Sequence, residues 1–161
     1  MFTITEILDI AIKIEKNGEA AYRHAAKQIS HASLTRLLQW MADEETNHIE
    51  WFLDLKQNTE TNSTSPSDPT VPRHMLTDII GGQTFSLEGI DFSQIENTEE
   101  LIKIFIEFEQ DSILFYEMLQ PFVQSEETRS QLSRIIAEEK RHIEKLQEVM
   151  AHTMSAFPPK S

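Results

Sequence analysis

The sequence contains no cysteine, which excludes disulfides, thiolate zinc sites, iron–sulfur clusters and a tetrathiolate iron centre. Glycine and proline are scarce, at 4 and 6 of 161 residues, and the regular polar spacing between apolar residues suits amphipathic helices. Basic residues are outnumbered 14 to 27 by acidic ones, for a formal net charge of −13. No basic stripe exists to neutralise phosphates, so nucleic acid is not an expected partner. No apolar run approaches the roughly 18 residues that a membrane span requires, so no membrane association is expected. The N-terminal stretch MFTITEILDIAIKIEK carries Glu6, Asp9, Lys13 and Glu15 within its apolar pattern. It reads as an amphipathic helix and not as a signal peptide, and a cytoplasmic location is expected.

What is present is a length that fits one domain with a substantial core and four segments of 3.6-residue apolar periodicity. These predict helices at about 4–29, 33–57, 98–123 and 127–154. Thr3 stands three residues before Glu6, the spacing of a capping box, and Asn97 stands likewise before Glu100. Pro121 and the Ser125-Glu126-Glu127 start predict a short turn between the last two helices. The intervening 58–97 begins as a Ser/Thr/Pro-rich loop, while IIGGQTFSLEGIDFSQI within it has enough apolar residues to pack on a bundle. Loops in the order short, long, short predict an all-α, antiparallel four-helix bundle over 1–155, made of two helical hairpins joined by a crossover, as in ferritin-like folds; 156–161 is expected to be a frayed tail.

The two hairpins repeat one another. Adding 94 to Glu15, Tyr22, Glu45 and His48 gives Glu109, Tyr116, Glu139 and His142, one offset spanning both helix pairs, as expected of a duplicated hairpin about a pseudo-twofold axis. Steps of four and three along the second helix give Leu34, Leu38, Met41, Glu45, His48, Phe52 and Leu55, and along the fourth Leu132, Ile135, Glu139, His142, Leu146 and Val149. The first reads Ile4, Leu8, Ala11, Glu15, Gly18, Tyr22, Ala25 and Ile29, and the third Ile102, Phe105, Glu109, Ser112, Tyr116, Leu119 and Val123. Each seam is apolar except at one shared level.

Four carboxylates and two imidazoles are thereby expected to meet at mid-bundle. An unpaired buried carboxylate costs several kcal/mol or more, whereas two divalent cations would bring four positive charges to four carboxylates and use their lone pairs as ligand bonds. Residues three apart share a helix face, so each Glu-x-x-His can serve one cation while a lone Glu of a neighbouring helix completes or bridges the pair. Glu15, Glu45, His48, Glu109, Glu139 and His142 are therefore the predicted metal ligands, with Glu15 and Glu109 as possible bridges. Tyr22 and Tyr116 are expected either to hydrogen-bond the ligand carboxylates or to pack in the core with their hydroxyls satisfied elsewhere. Glu44 and Glu138 read as solvated flanking charges more readily than as imidazole partners. His24, His31, His74 and His152 read as surface residues, and Trp40 and Trp51 as packing.

A lone Glu followed seven residues later by Tyr, then Glu-x-x-His on the next helix, all repeated once, resembles the rubrerythrin branch of the ferritin-like superfamily. The resemblance covers both hairpins and implies a centre of two iron ions, for which zinc or manganese can substitute, that reacts with hydrogen peroxide or dioxygen and is then re-reduced. With no cysteine for a rubredoxin-like domain, the electron donor would be a separate protein of the rubredoxin type. The family pattern places a further Glu three residues after the lone Glu of the third helix, where this chain has Ser112; Gly18 is its counterpart in the first. Two other functions stay open: iron oxidation for storage or delivery, and a metal-stabilised structural module. Ferritin-like bundles often dimerise, and a homodimer is expected.

Overall fold

Thr3 begins the first helix by exchanging hydrogen bonds with Glu6. The Glu6 carboxylate accepts from the Thr3 backbone N–H at 2.7 Å, and the Thr3 hydroxyl oxygen accepts from the Glu6 N–H at 3.2 Å, so two donors that the helix end would orphan are satisfied. The computed structural model describes residues 2–62, 70–71 and 97–156. Within these, α1 spans Ile4–Gln28, α2 Ala32–Asn62, α3 Thr98–Leu119 and α4 Glu126–Ala156. The Asn97 side chain caps α3 by accepting from the Glu100 N–H at 2.6 Å, and the Ser125 hydroxyl accepts from Thr128 N–H ahead of α4 at 3.3 Å.

Two helix ends differ from the periodicity reading. The apolar seam of α2 fades after Leu55, yet the helix continues to Asn62. Thr59 and Thr61 keep their hydroxyls bonded to the carbonyls of Leu55 and Gln57, so this last stretch is a polar helix that an apolar pattern does not mark. Helix α3 stops at Leu119 and tightens into a 3-10 turn, Gln120–Phe122, because Pro121 has no N–H to continue the α-helical ladder. The Arg129 guanidinium then donates to the Val123 carbonyl at 2.8 Å and ties the turn to α4.

The hairpins are α1 packed along α2 and α3 packed along α4, and they meet through α2 against α4 and through aromatic rings between α1 and α3, where Tyr22 meets Phe105 edge-on at 4.8 Å. All the seam positions named above are buried or half-buried, with Leu34, Leu38, Met41, Phe52, Ile102, Phe105 and Leu146 at 0 % exposure. The architecture is the all-helical, ferritin-like one. A two-residue antiparallel bridge pairs Phe2 with Val71 and Thr3 with Thr70, which pins one point of the crossover beside the start of α1. The expected packing of IIGGQTFSLEGIDFSQI, His74 and the tail beyond residue 156 lie outside the described residues. No described helix is long and apolar enough to cross a membrane.

His31 departs from its surface reading. It is half-buried, and its Nδ1 accepts from the Leu34 N–H at 3.2 Å, so an imidazole takes the capping place of a Ser or Asp at the start of α2.

Replacing Thr3 by Ala removes the side-chain half of the α1 capping box, and a loss of about 1 kcal/mol of stability is expected. Urea unfolding followed by circular dichroism measures it; an unchanged midpoint would show that the bridge to Thr70–Val71 holds the helix start without the cap.

Candidate metal centre

The polar level of the four seams converges at mid-bundle. Glu15 from α1, Glu45 and His48 from α2, Glu109 from α3, and Glu139 and His142 from α4 are each at most 3 % exposed. The placement follows from helical geometry, since i to i+3 puts Glu45 beside His48 and Glu139 beside His142 on the inward face. The two imidazoles lie nearly parallel, 6.4 Å apart between ring centres.

The six side chains form two overlapping groups of four. Glu15, Glu45, His48 and Glu139 offer ligand atoms within 4.8 Å of one another, and so do Glu45, Glu109, Glu139 and His142. His48 Nδ1 lies 3.4 Å from Glu15, 3.4 Å from Glu45 Oε2 and 3.0 Å from Glu139 Oε1. His142 Nδ1 lies 3.2 Å from Glu109, 3.6 Å from Glu45 Oε1 and 3.3 Å from Glu139 Oε2. Glu45 and Glu139 thus turn one oxygen to each imidazole and belong to both groups, whereas Glu15 and Glu109 belong to one each. The carboxylates shared by both groups are those of the Glu-x-x-His pairs.

The tyrosines complete the lone carboxylates across the pseudo-twofold axis. Tyr22 donates to Glu109 at 2.5 Å, and Tyr116 donates to Glu15. Each hydroxyl serves the opposite hairpin, and of the two readings open for these residues the hydrogen-bonding one is what the geometry shows. Glu44 and Glu138 likewise differ from their reading as solvated charges. Both are half-buried; Glu138 lies 2.7 Å from His48 Nε2 and Glu44 lies 3.5 Å from His142 Nε2. Again the partner is the imidazole of the other hairpin, not the one four residues on. The sequence carried the signal in their shared offset, 44 + 94 = 138, beside the inward-facing Glu of each pair.

Gly18 and Ser112 add no ligand atom. A Cβ at Gly18 would stand 3.0 Å from Cε1 of Phe108 and 3.7 Å from the Glu45 carboxyl carbon, so the Phe108 ring takes the space that a further side chain on α1 would need. The Ser112 hydroxyl donates to the Phe108 carbonyl at 3.0 Å.

Crowding four carboxyls in a dry core moves their proton affinities in opposite directions. Burial pushes Glu109 up to about 8, with the Glu139 charge adding to it and His142 opposing it. Glu45 rises well above the ordinary range through burial and repulsion from Glu139, Glu15 and Glu109. Burial also acts to raise Glu15, but the charge and hydrogen bond of His48 with the Tyr116 hydroxyl overcome it, and Glu15 stays below the usual value. Burial and the Glu15 charge act to raise Glu139, but the proximity of Glu109, His142 and His48 holds it below the usual value. For His48 and His142 burial pulls downward, yet Glu15 and Glu138 for the one, and Glu109 for the other, raise both. Raised proton affinity at Glu109, Glu45 and both imidazoles offsets part of the negative charge of the cluster.

The donor set fits divalent cations. Both oxygens of Glu45 and of Glu139, Glu109 Oε2 and His48 Nδ1 are buried without a hydrogen-bond partner and face the cluster. Orphaned carboxylate oxygens facing imidazole nitrogens are the ligand set of iron, manganese or zinc.

The family model described as Rubrerythrin matches residues 6–150. Among solved structures, the chain is similar to a protein from Thermotoga maritima described as a ferritin-like diiron-carboxylate protein, with a TM-score of 0.69 and 24 % identity over 94 % of this chain and 97 % of that one. A hypothetical protein from Pyrococcus furiosus is similar at a TM-score of 0.66 and 22 % identity, over 91 % and 87 % of the two chains. No curated protein matches.

A carboxyl whose folded pKa exceeds its unfolded value contributes stability that is fully present below the unfolded value and lost as pH rises through the folded one. For Glu109 that window runs from 4.5 to about 8, and Glu45 and both imidazoles act in the same direction. Glu15 and Glu139 act oppositely, losing their contribution as pH falls below 4.5. In chelator, the melting temperature is therefore expected to fall as pH climbs from 5 toward 8, the upper part of the Glu109 window. Cobalt(II) or zinc should abolish that fall; calorimetric scans across this range with and without the ion check it, and a chelated chain most stable at pH 8 would contradict the charge balance described.

Proposed function

Because the chain belongs to the rubrerythrin family and its buried Glu/His cluster fits a di-iron protein, we propose that it is a di-iron oxidoreductase acting on hydrogen peroxide or dioxygen. The observation that carries this reading is the pair of overlapping four-residue groups, {Glu15, Glu45, His48, Glu139} and {Glu45, Glu109, Glu139, His142}, with orphaned buried oxygens on the shared members. His48 and Glu15 would hold one ion, His142 and Glu109 the other, and Glu45 and Glu139 both. Iron held there supplies reversible one-electron steps at each ion, so a pair can deliver the two electrons that reduce peroxide to water.

The chain's own residues supply the rest. Apolar seam layers such as Met41, Phe52, Phe105 and Leu146, all at 0 % exposure, exclude bulk water above and below the polar level and strengthen every charge interaction within it. The Tyr22 and Tyr116 hydroxyls hold Glu109 and Glu15 in place, and burial among carboxylates pushes both phenols up, so they remain donors at neutral pH. With no cysteine in the chain, re-reduction falls to a separate electron donor. A storage or delivery role draws its support from Ser112, which stands where the family pattern has a further carboxylate and whose hydroxyl is committed to the Phe108 carbonyl.

Anaerobic ferrous titration followed by stopped-flow mixing with peroxide or air tests the proposal. Two ions per chain and rapid optical oxidation by one of these oxidants are expected, with sustained peroxide consumption when a reductant is added. Single-turnover oxidation without sustained consumption would favour the storage role, and no oxidation by either oxidant would defeat the redox reading. Glu139→Ala removes an oxygen from both groups and is expected to abolish oxidation. Glu15→Ala removes one from a single group and should leave one ion bound.

A further inference from the structure

The duplicated hairpin suggests two equivalent halves, but the residues behind the imidazoles are not equivalent. Glu138 Oε2 lies 2.7 Å from His48 Nε2, and its other oxygen accepts from the Arg134 guanidinium at 3.3 Å. On the opposite half, Glu44 lies 3.5 Å from His142 Nε2, and that nitrogen has no hydrogen-bond partner. The shared offset puts Trp40 at the counterpart of Arg134, since 40 + 94 = 134. The helical position four before Glu44 therefore carries no guanidinium, unlike that before Glu138; instead the Trp40 ring meets His142 edge-on, with centroids 5.3 Å apart and planes at 83°. A cavity of about 300 Å³ between α2 and α4, lined in part by Arg134, Glu138 and His48, reaches the back of the His48 ring. The His142 ring is at 0 % exposure.

A carboxylate that accepts from one nitrogen of an imidazole fixes the tautomer, aims the other nitrogen's lone pair and raises its donor strength. Only His48 has that support in full. Resting on the reading that His48 and His142 each serve a cation, we infer that the pseudo-symmetric centre binds its two cations unequally, Glu138 braced by Arg134 being the positioning residue that makes the His48 half the stronger. In this role Glu138 acts through the orientation of His48.

Calorimetric titration of the full-length chain with cobalt(II), read in parallel by the visible cobalt absorption, tests this. The wild-type chain is expected to show two binding events of different affinity. Glu138→Ala should weaken the stronger by about 10–100-fold, the usual effect of losing such a partner, and leave the weaker in place. Glu138→Gln, whose carbonyl can still accept from the imidazole N–H, should restore most of the loss, which a role confined to packing would not predict. Glu44→Ala should change affinity less than Glu138→Ala. Circular dichroism confirms folding, and if Glu138→Ala does not fold, Arg134→Met is expected to weaken the same event to a lesser degree. Two equal events in the wild-type chain, or equal losses in Glu44→Ala and Glu138→Ala, would overturn the inference while leaving the di-metal reading intact; a wild-type chain that binds no cobalt would overturn the di-metal reading itself.

Discussion

Mutual repulsion among four carboxyl groups enclosed at the centre of the bundle is the constraint that the remaining arrangement answers. Glu15, Glu45, Glu109 and Glu139 are at most 2 % exposed, far from the water that would screen them. Several features nearby moderate that repulsion: two imidazoles between the carboxyls, phenolic donors on Glu15 and Glu109, and proton affinities displaced in opposite directions. These measures bring the net charge toward zero but still leave oxygens on Glu45 and Glu139 without partners. The protein part of the centre is chemically unsatisfied, the condition in which a ligand site is ready for cations.

The scaffold keeps this arrangement by making it continuous with the core. The same seams that bury Leu38, Phe105 and Leu146 carry the glutamates and histidines, so the side chains are aimed by the helix packing that stabilises the fold. Their contacts reach across the hairpins. Tyr22 belongs with Glu109, Tyr116 with Glu15, Glu138 with His48. Pairing across the axis means that sliding one hairpin by a helical turn would break all three at once, and register is correspondingly well defined.

Much of this was legible in the residues. The level at which Glu and His interrupt otherwise apolar seams located the centre, and the constant offset identified its two halves, because helical periodicity projects reliably onto a buried face. Periodicity says which side of a helix faces inward, but not which neighbour a side chain meets once there. For that reason periodicity left open which carboxylates are shared between the two groups, where the structure shows Glu45 and Glu139, and the tyrosines and Glu44/Glu138 pair with the opposite hairpin. Helix ends were blurred where polar turns continued without an apolar residue, as after Leu55, and where Pro121 ended a ladder early. His31 was missed because an imidazole in a capping place leaves no pattern of its own.

The crossed tyrosines bear on how the molecule comes together. Each hairpin alone would expose a seam with acidic groups whose partners lie on the other, as Tyr22 and Glu109 are 87 positions apart. Joining the hairpins closes the loop between them and buries the acidic level in one motion. The centre is complete only when the two hairpins are docked, so any ion that favours the assembled form acts on folding stability as well as in the site.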